Sequence, residues 1–189
     1  MVRTRVGYAG GTSADVNYRN IGDWMEAIQI DYDPARVRYE DLLAIFFAEH
    51  DACEAVWKRQ YASGIFFHDA AQKQAAASAL AACATGAALR SNTESGAKPS
   101  TELAPVVFVA AEDYHQKYYL RQTRALVGEL LPLFNGNESA FRESTAVARV
   151  NGYLAGNGTP ADLERELSDL GLSADARDFL RRSHAANSK

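Results

Sequence analysis

Two stretches, Val2-Arg-Thr-Arg-Val-Gly-Tyr8 and Glu26-Ala-Ile-Gln-Ile-Asp-Tyr32, decide the fold class. Each alternates apolar and polar side chains with the period of two that a half-buried strand requires. Gly10-Gly11 breaks the first and Asp33-Pro34 stops the second. Residues 10–24, with Gly, Ser, Asp and Asn scattered through them, form a loop between the two strands.

Downstream, apolar side chains at positions 42, 43, 46 and 47 give residues 39–49 helical spacing, ended by His50-Asp51. Residues 61–67 make a third strand, and the Ala-rich stretch 70–90 is a helix on intrinsic propensity. A polar loop, 91–100, leads to a fourth strand at 101–110, in which Pro105 calls for an edge position or a bulge. Residues 112–134 are helical in pattern. Beyond Gly136 come short helices at 138–154, 160–169 and 173–183, separated by Gly156-Asn-Gly158 and Gly171, with Thr159-Pro160 as a helix start. The expected organisation is an α/β (α+β) part over residues 1–135, a mixed sheet of about four strands with flanking helices, followed by a helical C-terminal extension over 136–189.

Composition narrows the function. Nearly half of the 189 residues are hydrophobic, enough for a core, and no apolar run approaches a membrane span. A net charge of −4 with scattered Lys and Arg argues against nucleic-acid binding. The two cysteines, Cys53 and Cys83, are too few for a disulfide framework and point to a reducing compartment, taken here as the cytoplasm. Cys83 lies in the Ala-rich helix as a packing residue. His50 and His68 are too far apart, with too few companions, for a metal site, so none is expected. Gly10-Gly11 opens no phosphate-binding motif.

Four stretches carry a resemblance. They are Arg5-Val-Gly-Tyr-Ala-Gly-Gly-Thr12 with Asn17-Tyr-Arg19; Gly22-Asp23 with Glu26 and Ala27-Ile-Gln-Ile-Asp-Tyr-Asp-Pro34; Tyr39-Glu-Asp-Leu-Leu43 with Phe46, Phe47, His50 and Asp51; and Ala111-Glu-Asp-Tyr-His-Gln-Lys-Tyr118. In this order, with Arg59-Gln-Tyr61 between the third and fourth, they resemble the A-type peptide-methionine (S)-S-oxide reductases over roughly residues 2–122. The resemblance implies a ferredoxin-like α/β core and a thiol chemistry. A cysteine thiolate attacks the sulfur of methionine sulfoxide, free or in proteins, and becomes a sulfenic acid. A second thiol, from the protein or from thioredoxin, then reduces it, and no other cofactor is implied. The family's buried proton-donating glutamate falls on Glu26, and the two tyrosines whose hydroxyls hold the sulfoxide oxygen fall on Tyr18 and Tyr61.

The chain also departs from the family pattern. The family nucleophile sits in a Gly-Cys-Phe-Trp-Gly segment upstream of the Val-Gly-Tyr-Ala-Gly-Gly match, and this sequence starts after that point. The expectation is a domain incomplete at its N-terminus, without nucleophile or Phe-Trp cage. Position 24, often His in relatives, is Trp24, and an aspartate common before Tyr61 has no clear counterpart in Cys53-Glu-Ala-Val-Trp-Lys-Arg59. Cys53 is the one candidate redox thiol near the matched residues, in a resolving rather than an attacking role. Trp24 and Trp57 are candidates to cover a substrate methyl group, or else core and surface residues. His115 reads as structural. Three functions stay open: a reductase whose nucleophile is absent from this chain, a binding module for oxidised methionine, and a scaffold that keeps only the fold.

Overall fold

The computed structural model describes residues 2–49, 56–91 and 100–188. Strands β1 (Arg3–Ala9) and β2 (Met25–Asp31) form where the alternation predicts them. Helices α1 (Tyr39–Glu49) and α2 (Ala70–Ser91) likewise match their segments. The class is α/β, as expected, but the sheet is not one. Strands β3 (Gly64–Phe67) and β4 (Glu102–Pro105) pair in parallel, with Gly64 opposite Glu102. Strand β5 (Phe108–Ala110) joins a separate three-stranded sheet of order β2-β1-β5, antiparallel to β1, with Gly7 opposite Ala110.

The single strand expected over 101–110 is therefore corrected to two. Pro105 has no N–H and ends β4. The next residues divide their bonds: Val106 N–H donates to the Phe67 carbonyl (3.0 Å), and the Val107 carbonyl accepts from Gly10 N–H (3.3 Å). One short segment thus follows β3 and then β1. The third strand also starts later than expected, because Arg59–Tyr61 is a turn of 3-10 helix.

The chain forms two compact units. One comprises residues 7–28 and 32–110, and the other comprises residues 1–6, 29–31 and 111–189. The first is built around Leu43, Ile65, Ala76 and Leu80, where α1 and α2 pack with β3. The second has its own core, in which Leu120, Leu126 and Leu130 share one cluster with Phe141, Val150 and Leu180. Residues from both sides of the division expected at 135/136 therefore belong to one core.

The segment expected as one helix over 112–134 is broken into a 3-10 turn (Asp113–His115), α3 (Tyr118–Arg121), α4 (Arg124–Leu130) and a second 3-10 turn (Leu131–Phe134). Helices α5 (Glu138–Glu143) and α6 (Thr145–Leu154) part at Ser144, whose extended backbone ends one helix while its hydroxyl accepts from Val147 N–H to cap the next. Helix α7 (Pro160–Glu166) has the expected start, with Thr159 and Asp162 in a reciprocal capping box. Ser173 caps α8 (Ala174–Asn187). Each such cap is worth about 1 kcal/mol.

Within this second unit the start of β1 is bound by charge and amide. The Arg5 guanidinium lies between Glu143 (2.6 Å) and Asp31 (3.0 Å). The Gln116 side chain accepts from Val6 N–H and donates to the Val6 and Ala111 carbonyls. Lys117 sits in the left-handed region (φ 56), which stops the helical run before α3. The residue is only 4% exposed, with Nζ donating to the Thr4 carbonyl at 2.5 Å.

Burial pushes the Lys117 ammonium down to about 8 from its ordinary 10.5. Between these values the unfolded chain binds more protons than the folded one, so stability rises with pH. Going from about pH 8 to about pH 10 should stabilise the wild type relative to Lys117→Met by roughly 1–3 kcal/mol. Urea unfolding at each pH reads this, and equal pH slopes in the two proteins would refute it.

Candidate active site

The segments expected to carry chemistry lie in the first compact unit, and backbone shape comes first. Gly10 has φ 72, and a Cβ there would meet the Phe66 ring at 2.5 Å. A Cβ on Gly11 would lie 2.3 Å from the Trp24 indole. The Gly10-Gly11 pair is thus required by two aromatic rings packed on the turn. Trp24 is buried, and its indole N–H donates to the Ser13 carbonyl (2.9 Å). Of the two readings of Trp24, this is the core one: it packs under the loop. Trp57, by contrast, is 84% exposed, with Lys58 Nζ 4.5 Å above its ring.

The loop from 12 to 24 is closed at its neck by one carboxylate. Asp23 accepts from Thr12 N–H (2.9 Å) and hydroxyl (2.8 Å), and from Ser13 N–H (3.0 Å) and hydroxyl (2.6 Å). At its far end, Asn17 Oδ1 accepts from the N–H groups of Arg19 and Asn20, making the tight turn that presents Tyr18. Arg59 donates to the carbonyls of Asp23 (2.6 Å) and Gly10 (3.1 Å) and to Glu102 (2.9 Å).

Tyr18, on the turn, and Tyr61, closing the 3-10 helix, are each 53% exposed. Glu26 on β2 is exposed as well, which corrects the expected burial of this carboxyl. The strand alternates, and Met25 takes the inward position, so Glu26 must face out. The three side chains thus stand on segments fastened together at Asp23. Cys53 lies outside the described residues. Cys83 is a half-buried free thiol lining a groove of about 910 Å³ between α1 and α2, with Leu43, Phe47 and Ala79, on none of the segments that carry the trio. Among the described residues, no group of three His, Cys, Asp or Glu side chains could hold a metal ion, and no helix is long and apolar enough to cross a membrane.

Sequence reasoning gave Asp23 and Arg59 no role of their own. The available signal was a Thr-Ser pair opening a loop that ends, ten residues on, in an aspartate. Such a pair offers four donors to one carboxylate.

The family model described as peptide methionine sulfoxide reductase matches residues 1–129. Peptide methionine sulfoxide reductase of Drosophila melanogaster is 37% identical over 181 residues, 95% of this chain and 69% of that protein. Peptide methionine sulfoxide reductase A5 of Oryza sativa subsp. japonica is 32% identical over 166 residues, 82% of this chain and 59% of that one. Peptide methionine sulfoxide reductase MsrA of Leifsonia xyli subsp. xyli is 40% identical over 129 residues, 64% of this chain and 72% of that one. The chain therefore spans between 59% and 72% of these relatives' lengths. The similarity to the fly protein continues past residue 129 into the C-terminal helices.

The Ser13 hydroxyl and N–H, with those of Thr12, hold the Asp23 carboxyl well below its ordinary 3.8. A carboxylate depressed in the folded state contributes stability above its unfolded value and loses it as pH falls through the folded one. The closure should contribute its full stability from neutrality to about pH 4 and progressively less below that, while the folded loop stays closed until the pH is well under the ordinary 3.8. Asp23→Asn keeps one acceptor oxygen and should speed hydrogen exchange at the Thr12 and Ser13 amides roughly tenfold at pH 7. Unchanged exchange in the variant would refute the closure.

Proposed function

The chain belongs to the peptide methionine sulfoxide reductase family, and we propose that Tyr18, Glu26 and Tyr61 form the part of a site that holds and protonates the oxygen of methionine-(S)-sulfoxide. One observation supports this reading above the others. The Asp23 carboxylate closes the loop of Tyr18, its carbonyl receives the helical turn of Tyr61 through Arg59, and Glu26 follows three residues later.

In this reading the two phenol hydroxyls donate to the sulfoxide oxygen, as an oxyanion hole does. A thiolate attacks the sulfur, the S–O bond breaks, and oxygen and one proton end on the cysteine as a sulfenic acid, releasing the thioether. A second thiol displaces water from the sulfenic acid and leaves a disulfide, which thioredoxin or another dithiol reduces in a reducing compartment such as the cytoplasm. Glu26 supplies the proton as negative charge builds on oxygen. Donation needs the protonated carboxyl, which burial favours. With Glu26 exposed in the free chain, the apolar arms of the bound substrate provide that cover.

A second reading, recognition of oxidised methionine without turnover, is favoured by the exposure of all three side chains, which makes them an open platform. The sequence holds only Cys53 and Cys83 as thiols.

The test is binding and turnover of a methionine-(S)-sulfoxide peptide with excess dithiothreitol, by this chain and by the same chain carrying an added upstream Gly-Cys-Phe-Trp-Gly segment. Tyr18→Phe and Tyr61→Phe should each weaken binding by about 5–10-fold, one hydrogen bond apiece. Glu26→Gln should abolish whatever turnover either chain shows. Turnover lost in Cys53→Ser would give the attack to Cys53. Binding without turnover in both chains selects the second reading, and no preference for the sulfoxide over the methionine peptide sinks both.

A further inference from the structure

We propose that Arg59 is a positioning residue that sets the spacing of Tyr61 against Tyr18 and Glu26, and so the preference for one sulfoxide epimer; this rests on the function proposed above. Its planar guanidinium reaches three segments at once. Nε donates to the Asp23 carbonyl at 2.6 Å, Nη2 to the Gly10 carbonyl at 3.1 Å, and Nη1 to Glu102 at 2.9 Å. Two of the three acceptors are main-chain oxygens, so the bonds fix backbone positions rather than side-chain rotamers.

Each acceptor leads to the site. Asp23 precedes Glu26 by three residues and holds the neck of the loop bearing Tyr18. Gly10 begins the turn into that loop. Glu102 opens β4, where its N–H donates to the Ser63 carbonyl (2.9 Å), just past Tyr61. Arg59 and Tyr61 are the first and last residues of one 3-10 turn, closed by bonds from Tyr61 N–H to the Lys58 carbonyl (3.1 Å) and from Ala62 N–H to the Arg59 carbonyl (2.9 Å). Tyr61 therefore sits one rigid turn from the guanidinium.

Two properties separate this role from plain scaffolding. The Arg59 side chain is 41% exposed, and an exposed ion pair such as that with Glu102 contributes little to global stability. A lysine retains the charge but cannot present a fork to three acceptors in one plane. Replacement should thus disturb geometry more than folding. An oxygen held by two hydroxyls and a carboxyl is read by direction, and epimers at sulfur differ in just that.

The experiment compares wild type, Arg59→Ala and Arg59→Lys for the ratio of dissociation constants of (R)- and (S)-sulfoxide forms of one methionine peptide, with thermal unfolding beside it. Both variants should lose roughly tenfold in the ratio, while Tm moves by no more than about 3 °C. Adding Tyr61→Phe to Arg59→Ala should cost little further selectivity, because Arg59 acts through Tyr61. A wild-type ratio retained in Arg59→Ala, or fully additive losses with Tyr61→Phe, overturns the inference while the proposed function stands. A wild type that does not distinguish the epimers overturns both. If Arg59→Ala fails to fold, Arg59→Lys decides, and a wild-type ratio in that variant overturns the proposal.

Discussion

A single carboxylate, Asp23, holds the candidate site together. It takes four hydrogen bonds from two consecutive residues, Thr12 and Ser13, two of them from N–H groups, just after the Gly10-Gly11 turn. Charged acceptors make hydrogen bonds about twice as strong as neutral ones. Here that strength offsets the entropy of closing a loop of some ten residues. The same residue gives its carbonyl to Arg59, so side chain and main chain of one aspartate tie three segments. The packing of Trp24 against Gly11 and its bond to the Ser13 carbonyl then fill the space beneath the closed neck.

The rest of the first unit explains why glycine and aromatic residues alternate around this neck. Phe66 on β3 lies where a Cβ of Gly10 would be, and Met25 is buried at the head of β2. The two small sheets approach through these side chains, and the segment from Val106 to Val107 bonds to one sheet and then to the other. A proline at 105 is tolerated there because the N–H groups bonded to the β3 side belong to alternate residues, Glu102 and Val106 among them, so none is required of residue 105.

Much of this was legible beforehand, for definite reasons. Alternation gave β1 and β2, helical spacing gave α1, and Thr159-Pro160 gave the start of α7, because each signal is local. The division of residues 102–110 between two sheets was not legible, since nothing local says which strand each residue will face. Nor was the left-handed Lys117, whose side chain bonds a carbonyl more than a hundred residues away at Thr4. The expected break at 135/136 followed a change in sequence character, whereas compactness follows the buried stripe, which runs from Leu120 across to Leu180. In the site, residue types singled out Tyr18, Glu26 and Tyr61 only through the family motif, and left Asp23 and Arg59 without roles because the Thr12-Ser13 signal is weak and two of the three Arg59 bonds go to main-chain carbonyls, which carry no sequence signature.

The exposure of Glu26 sharpens what a proton donor in this position must do. A carboxyl held in a dry pocket is poised before substrate arrives, at a standing cost in stability. A carboxyl on an open strand bears no such cost and becomes a donor only when something apolar is laid over it. A methionine sulfoxide brings the means itself, since its methyl and methylene groups flank the polar S–O bond. In the proposed reading the substrate would complete the environment of the carboxyl, and the protein would contribute the segments that carry Tyr18, Tyr61 and Glu26. Fixed spacing among exposed side chains cannot come from core packing. It would have to come from hydrogen bonds to the backbone that carries them, and Asp23 and Arg59 make such bonds.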